Sequence, residues 1–343
     1  MIYWFNLKAT PMKVCSKLCL FLTVIVIIGC TSLNAQDIHF SQFWNQPGTY
    51  NVADIIEDDD IRLSASVRDQ WLSIPVPYTS RQFGYAHKIN PKNNSSWLAF
   101  GLNLVDDKAG DIQYSNQSIG AALSWHLHLY DDLAIRVGAS LNYINRFLDE
   151  SLVQLGNQFD GEQFRQGIEP FDVALQGIAN YYSYQSAISL LGYKNGTQDW
   201  RISLSGANLN KPYTNDVMES MRPVRWSLSG EKYIYNSSQV NLRTLALLQM
   251  QQSYLECQVG VLANLGEKFT TNFDVGLSYR TGDSVIVYSG VNWNSFSLGF
   301  SYDFTISGLQ VANGGRGGPE LHVRYSITKV KPLKIKKACC PNY

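Results

Sequence analysis

Long stretches of strict side-chain alternation constrain this chain more than any other feature of its sequence. Leu133, Ile135, Val137, Ala139, Leu141 and Tyr143 interleave with Ala134, Arg136, Gly138, Ser140 and Asn142. The same period of two runs through 98–104, 296–304 and 321–327. Successive strand side chains point to opposite faces, so each stretch has one apolar face and one polar or small face. Soluble sandwiches alternate too, but the segments here run to about 9–15 residues, whereas globular strands are usually about 5–6 and a tilted membrane strand needs about 9–11. Their apolar faces carry no charge, as contact with lipid requires. Trp97, Trp125, Trp200 and Trp226 fall in or at the ends of strands, where an interfacial girdle places them.

Only 16% of the 343 residues are charged, 28 basic against 28 acidic, while the rings number 20 Tyr, 15 Phe and 8 Trp. Such a balance excludes a polar disordered chain and a nucleic-acid binder acting through bulk positive charge. Beyond the amino terminus there is no apolar run long enough for a membrane helix. Backbone groups in lipid must all be paired, and a sheet achieves this only by closing on itself. The expected fold is therefore an all-β transmembrane outer-membrane barrel of about fourteen antiparallel strands, within a range of about 12–16.

The strands map near 62–70, 80–90, 96–105, 114–129, 133–147, 186–194, 200–208, 223–235, 240–250, 254–264, 268–279, 284–292, 295–305 and 320–328. Connections after even-numbered strands are short; those after odd-numbered strands are mostly longer, the longest running from Leu148 to Gln185. Two odd connections, Gln251 to Ser253 and Arg280 to Asp283, depart from this rule. Short turns on one rim and long loops on the other fit a barrel with both termini in the periplasm.

Residues 1–35 read as a signal peptide. Lys8, Lys13 and Lys17 precede the apolar run from Leu18 to Ile28, and small and polar residues lead to a cleavage site between Ala35 and Gln36. The competing lipobox reading rests on Ile27-Ile28-Gly29-Cys30, and both readings export the chain. Cleavage at Ala35 removes three lysines and no acidic residue, moving the formal charge from zero to −3. Cys257, Cys339 and Cys340 then remain, with neither disulfide nor zinc spacing. Residues 36–61 form a periplasmic segment or plug, 62–328 the barrel, and 329–343 a basic periplasmic tail. In that tail Lys331, Lys334, Lys336 and Lys337, with Lys329, are candidates to grip an acidic partner or anionic headgroups.

No constellation for chemistry emerges, and no cofactor is expected. His126 and His128 share an inward face at i, i+2, but no carboxylate or cysteine at ligand spacing joins them. Gly138-Ala139-Ser140, Gly276-Leu277-Ser278 and Gly299-Phe300-Ser301 each lack the second glycine of a nucleophile elbow. The acidic runs 57–60 and 106–111 lack the spacing of a calcium loop and read as solvated turns. The run Gly314-Gly315-Arg316-Gly317-Gly318-Pro319 has no lysine-hydroxyl ending and reads as a hairpin connection.

Gln36-Asp37-Ile38-His39-Phe40-Ser41-Gln42-Phe43 with Asn45 and Pro47 resembles the mature start of the PorP/SprF family of type IX secretion system proteins. Arg68-Asp69-Gln70-Trp71, Asp107-Lys108-Ala109-Gly110, and Leu204-Ser205 with Asn208-Leu209-Asn210-Lys211-Pro212 follow in family order. The likeness is densest from Gly276 to Ile286, runs on from Gly299 to Leu309, and returns in the ending, Glu320-Leu321 to Tyr325, then lysines and Cys340-Pro341-Asn342-Tyr343. Two departures are Asn51-Val52-Ala53, where members often have Asn-Pro-Ala, and the individual stretch from Leu148 to Gln185.

The resemblance implies a non-enzymatic barrel in the outer membrane of a Gram-negative bacterium. It would assist export or surface attachment of proteins with type IX carboxy-terminal signals. Implied partners are other secretion components in the outer membrane and periplasm and an adhesin-like cargo; the bilayer is its solvent, and no nucleic acid is involved. The alternative is a FadL-like transporter passing a small or apolar solute through the lumen.

Overall fold

The computed structural model describes residues 39–57, 59–70, 78–89, 96–110, 114–147, 159, 161–163, 180–214, 221–266, 271–308 and 310–328. Fourteen strands form one closed antiparallel barrel in sequential order. They are β1 Ile61–Gln70, β2 Tyr78–Ile89, β3 Ser96–Ala109, β4 Tyr114–Tyr130, β5 Leu133–Phe147, β6 Tyr181–Lys194 and β7 Thr197–Ala207. There follow β8 Arg225–Asn236, β9 Val240–Gln251, β10 Tyr254–Leu265, β11 Asn272–Arg280, β12 Ser284–Trp293, β13 Phe296–Thr305 and β14 Arg316–Ile327. Closure comes from β1 against β14, with Ile61 opposite Ile327 and Arg68 opposite Glu320.

Alternation translates directly into two faces. Leu98, Leu102 and Leu104 on β3, Leu123 and Trp125 on β4, and Leu298, Phe300 and Phe304 on β13 are exposed on the outer wall. Ser124, Arg136, Ser189, Ser301 and Asp303 are buried on the inner one. A soluble protein would bury the first set; in lipid the apolar residues face out and the polar face lines the lumen. Trp125 and Trp226 lie on the outer face. Trp97 departs from the girdle expectation. Its parity is opposite to that of outward Leu98, so it points into the lumen and stacks on His126, with ring centroids 4.7 Å apart.

Tight turns close one rim. Asn195 (φ 53°) and Gly196 (φ 75°) join β6 to β7, and Asn294 (φ 50°) begins the turn between β12 and β13. Left-handed backbone at such positions matches the strand twist and selects Asn and Gly. The described ends of longer connections, such as 208–214 and 221–224 between β7 and β8, lie at the other rim.

Two local readings change. Asp106 and Asp107 belong to β3, where Asp106 accepts a bond of 2.9 Å from Gln117 Nε2 on β4, so they are ladder residues rather than a turn. β14 begins at Arg316, earlier than the alternation suggests, so the run 314–319 is a turn only at Gly314 and Gly315. Gly318 has to be glycine: a Cβ there would lie 1.9 Å from the Asp69 carbonyl oxygen.

Candidate functional site

The inner face of the barrel is occupied by the chain's own segment 39–57. It is built of a 3-10 turn at Phe43–Asn45, a single α-turn at Pro47–Tyr50 and a second 3-10 turn at Val52–Asp54. Pro47 opens the α-turn, where its missing N–H costs nothing, and the Asn51 side chain accepts from Ala53 N–H to start the last turn. Two small apolar clusters seat the segment. Phe40, Phe43 and Tyr50 pack on Leu245 and Leu247 of β9, Leu262 of β10 and Tyr288 of β12. Val52, Ala53, Ile55 and Ile56 pack on Ala86, Ala99, Ala122 and Ala187. The wall makes room for it: a Cβ on Gly138 of β5 would lie 2.3 Å from the Val52 carbonyl oxygen.

Polar contacts fix the segment at two levels, by hydrogen bonds to an ion-paired wall cluster at one and by ion pairs of its own at the other. Toward the long-loop rim, Arg68 Nη2 and Arg280 Nη1 both reach Asp303 Oδ2, at 2.8 and 3.1 Å. Ser41 Oγ donates to Asp303 Oδ1 at 2.6 Å, and Ser41 N–H donates to Glu320 Oε2 at 2.6 Å. Gln42 N–H reaches Glu320 Oε1 at 3.1 Å, and Gln258 Nε2 donates to the Ser41 carbonyl at 2.8 Å. Arg68 Nη1 also donates to the His39 carbonyl.

Toward the short-turn rim the centre is Asp54. Its carboxylate takes Arg136 Nη1 at 3.0 Å, Ser189 Oγ at 2.8 Å and Ser203 Oγ at 3.1 Å, and it also accepts from Asn51 Nδ2. Arg201 bridges Asp54 (3.7 Å), Glu57 and Glu231 (3.3 Å), and Arg243 joins Glu231 at 3.3 Å. Buried charges persist only when paired, and here every one of these charged side chains has an opposite partner.

Two titratable groups of the segment carry the imprint of this site. Burial opposes ionisation of Glu57, but the guanidiniums of Arg201, Arg62, Arg136 and Arg243 outweigh it and hold the carboxyl well below the usual carboxylate range. His39 is held well below the usual imidazole range, by burial first and then by Arg68 and Arg280.

The sequence candidates land in several places. Ala35 and Gln36, the tail lysines Lys331, Lys334, Lys336 and Lys337, Cys339 and Cys340, and most of 148–185 lie outside the described residues. His126 and His128 do meet on the inner face, with ring centroids 4.7 Å apart. His126 Nδ1 accepts from Arg136 Nε at 2.9 Å, which places a cation where a metal would have to sit. Among the described residues no group of three or more His, Cys, Asp or Glu is placed to hold a metal. The acidic run at 57–60 is not a solvated turn: Glu57 pairs with Arg201, Asp59 with Arg62 at 2.8 Å, and Asp60 is buried, while Asp58 lies outside the described residues. Asp54, Arg136, Arg201, Glu231, Arg68, Arg280, Asp303 and Glu320 were not singled out by motif. For all of them but Asp54, which lies in the lodged segment, the signal is a charge at an inward-facing strand position.

Among the described residues the lumen is thus occupied by the chain's own segment. The family model "Type IX secretion system membrane protein PorP/SprF" matches residues 32–325. No curated protein matches the chain. Among solved structures, a TodX monoaromatic hydrocarbon channel (deltaS2 mutant) aligns with a TM-score of 0.50 at 9% identity, over 83% of this chain and 94% of that one. A FadL homologue from Pseudomonas aeruginosa aligns at 0.47 and 12% identity, over 82% and 94%. CdiB from Acinetobacter baumannii aligns at 0.43 and 10% identity over 78% of this chain, which spans only 60% of CdiB's length. At such identities the TodX likeness concerns the fold alone, an outer-membrane barrel. The chain belongs to the PorP/SprF family of type IX secretion system membrane proteins and resides in the Gram-negative outer membrane.

Proposed function

We propose that this barrel serves type IX secretion through protein–protein contacts, without catalysis and without passing solute through its lumen. It assists the export or surface attachment of proteins that bear type IX carboxy-terminal signals. One observation carries the reading: segment 39–57 lies in the lumen and is tied to the wall by the Asp303–Glu320 and Asp54–Arg201 clusters. A barrel so occupied offers its rims and outer wall as working surfaces. The long-loop rim, extracellular by the usual asymmetry of such barrels, would meet exported protein, and the periplasmic rim would meet the secretion machinery. In this scheme residues 1–35 are an export signal cut between Ala35 and Gln36. The basic tail with Lys331, Lys334, Lys336 and Lys337 contacts an acidic periplasmic partner.

A FadL-like transporter needs an apolar route, and the inner wall offers arginines, carboxylates, serines and amides instead. Two measurements on one preparation separate the readings. In-cell crosslinking from the long-loop rim should recover exported proteins with type IX signals. Proteoliposomes of the purified protein should show no uptake of monoaromatic hydrocarbons or small sugars above protein-free vesicles. Solute uptake with no crosslinked cargo would overturn the proposal.

A further inference from the structure

Above the lodged segment, at the long-loop end of β3 to β8, lies a cavity of about 110 Å³. Its floor is Gly48 and Thr49, and its wall carries Asn103, Asn116, Asn142, Gln185, Asn208 and Arg225. At that size it falls well below the roughly 300–1,000 Å³ of a drug-sized pocket. It suits one side chain with its flanking peptide groups.

The lining has two chemical properties. First, it is rich in side-chain amides, and no acidic residue is among the described residues that line it. Arg225 Nη2, which donates to the Thr49 carbonyl at 3.1 Å, brings a guanidinium to the edge of the floor. Second, Asn116 Oδ1 and Thr49 Oγ1 are buried without a hydrogen-bond partner. A buried acceptor left unsatisfied is costly, so such atoms call for an explanation. The neighbouring amides, by contrast, are committed: Asn208 Oδ1 accepts from Ser183 Oγ at 2.7 Å, and Gln185 Nε2 donates to Ser205 Oγ at 3.2 Å. The wall is thus held in place while two polar atoms, one on the floor and one on the wall, await a partner.

We propose that this cup binds an extended acidic peptide segment of an exported protein. Main-chain N–H groups of the segment donate to Asn116 Oδ1 and Thr49 Oγ1, and a carboxylate accepts from Arg225. An extended chain presents donors and acceptors alternately along its length, as a cup holding both unfilled acceptors and a guanidinium requires. The inference rests on the secretion reading and names the partner's chemistry within it.

The test uses the full-length protein in detergent micelles and calorimetric titration. The probes are pools of N-acetylated, C-amidated hexapeptides, randomised except for a fixed central Glu, Gln or Lys, with oligogalacturonate as a carboxylate that is not a peptide. The Glu pool should bind about tenfold more tightly than the Gln pool, the scale of one charge-assisted hydrogen bond. Arg225→Gln should abolish the Glu preference, and Arg225→Lys should restore part of it. Asn116→Ala should weaken every peptide pool while leaving heat-modifiable gel migration of the barrel unchanged, because Asn116 Oδ1 bonds nothing in the protein. Equal affinity for the Glu and Gln pools, no binding of any pool, or binding of oligogalacturonate alone would overturn the proposal. The secretion reading fails by a different result, namely unchanged surface levels of type IX cargo in a deletion strain.

Discussion

Replacing Asp54 by alanine strikes the lodged segment where most bonds converge. The carboxylate side chain is 4% exposed and takes bonds from Arg136, Ser189, Ser203 and Asn51, with Arg201 at 3.7 Å. Alanine removes the charge but leaves the Arg136 side chain at 3% exposure and Arg201 at 14%. Breaking a buried ion pair by deleting one partner costs about 3–5 kcal/mol. Arg201 keeps Glu57 and Glu231, so the lower end, about 3 kcal/mol, applies to docking of the segment; that is roughly a hundredfold in its equilibrium. Hydrogen exchange read by mass spectrometry on the purified barrel reports it. Amides of 51–57 should exchange roughly a hundredfold faster in D54A, while those of β12 and β13 stay at wild-type rates. Asp54→Ala with Arg136→Ala should recover part of the protection, since that guanidinium is no longer stranded. Exchange at 51–57 within about twofold of wild type, with the barrel intact, would refute the claim that this cluster holds the segment.

Other expectations follow from the same geometry. Gly138→Val should expel residues 52–53, because even a Cβ falls 2.3 Å from the Val52 oxygen, and protease added to the purified barrel should then cut a segment that it spares in wild type. Acidification should loosen the segment in two stages. His39 is neutral when docked and titrates near its free value, about 6.5, when released, so docking is at full strength above that pH and weakens as pH falls below it. Glu57, held ionised when docked, adds a second loss below about pH 4.3; exchange at 39–57 measured from about pH 8 to 3 checks both. Leu123→Arg places a cation on the outer wall of β4 and should destabilise the barrel by about 2–4 kcal/mol if the site lies near mid-bilayer, measured by denaturant unfolding in vesicles.

Most of the fold was legible because lipid imposes one rule on every strand. Period-two alternation and turn residues such as Asn195-Gly196 located all fourteen strands. Composition misleads at the start of β14: Gly318 and Pro319 carry no alternating apolar side chains, yet they pair with Asp303 and Tyr302 of β13, and Gly317 falls where the register shifts. Residue type alone points Trp97 to the girdle, whereas its parity against Leu98 turns it inward, onto His126. The filling of the lumen was less legible, because periodicity specifies a wall and says nothing of what lies inside it. Leu245 and Leu247 give the physical reason why β9 carries leucine on its inner face: Phe40, Phe43 and Tyr50 cover them. Arg136, Arg201, Glu231 and Asp303 were visible as inward charges, but their partners lie far away in sequence, as Asp54 does from Arg136. The acidic run at 57–60 looked like solvent-facing charge for the same reason, since Arg201 is 144 residues from Glu57.

The central claim is that a barrel with a filled lumen works in type IX secretion by contact. Quantitative surface proteomics of a deletion strain, with the wild-type gene returned as control, tests it most directly. The account predicts that one or more proteins bearing type IX carboxy-terminal signals disappear from the cell surface and reappear on complementation. Unchanged surface levels of every such protein would contradict it.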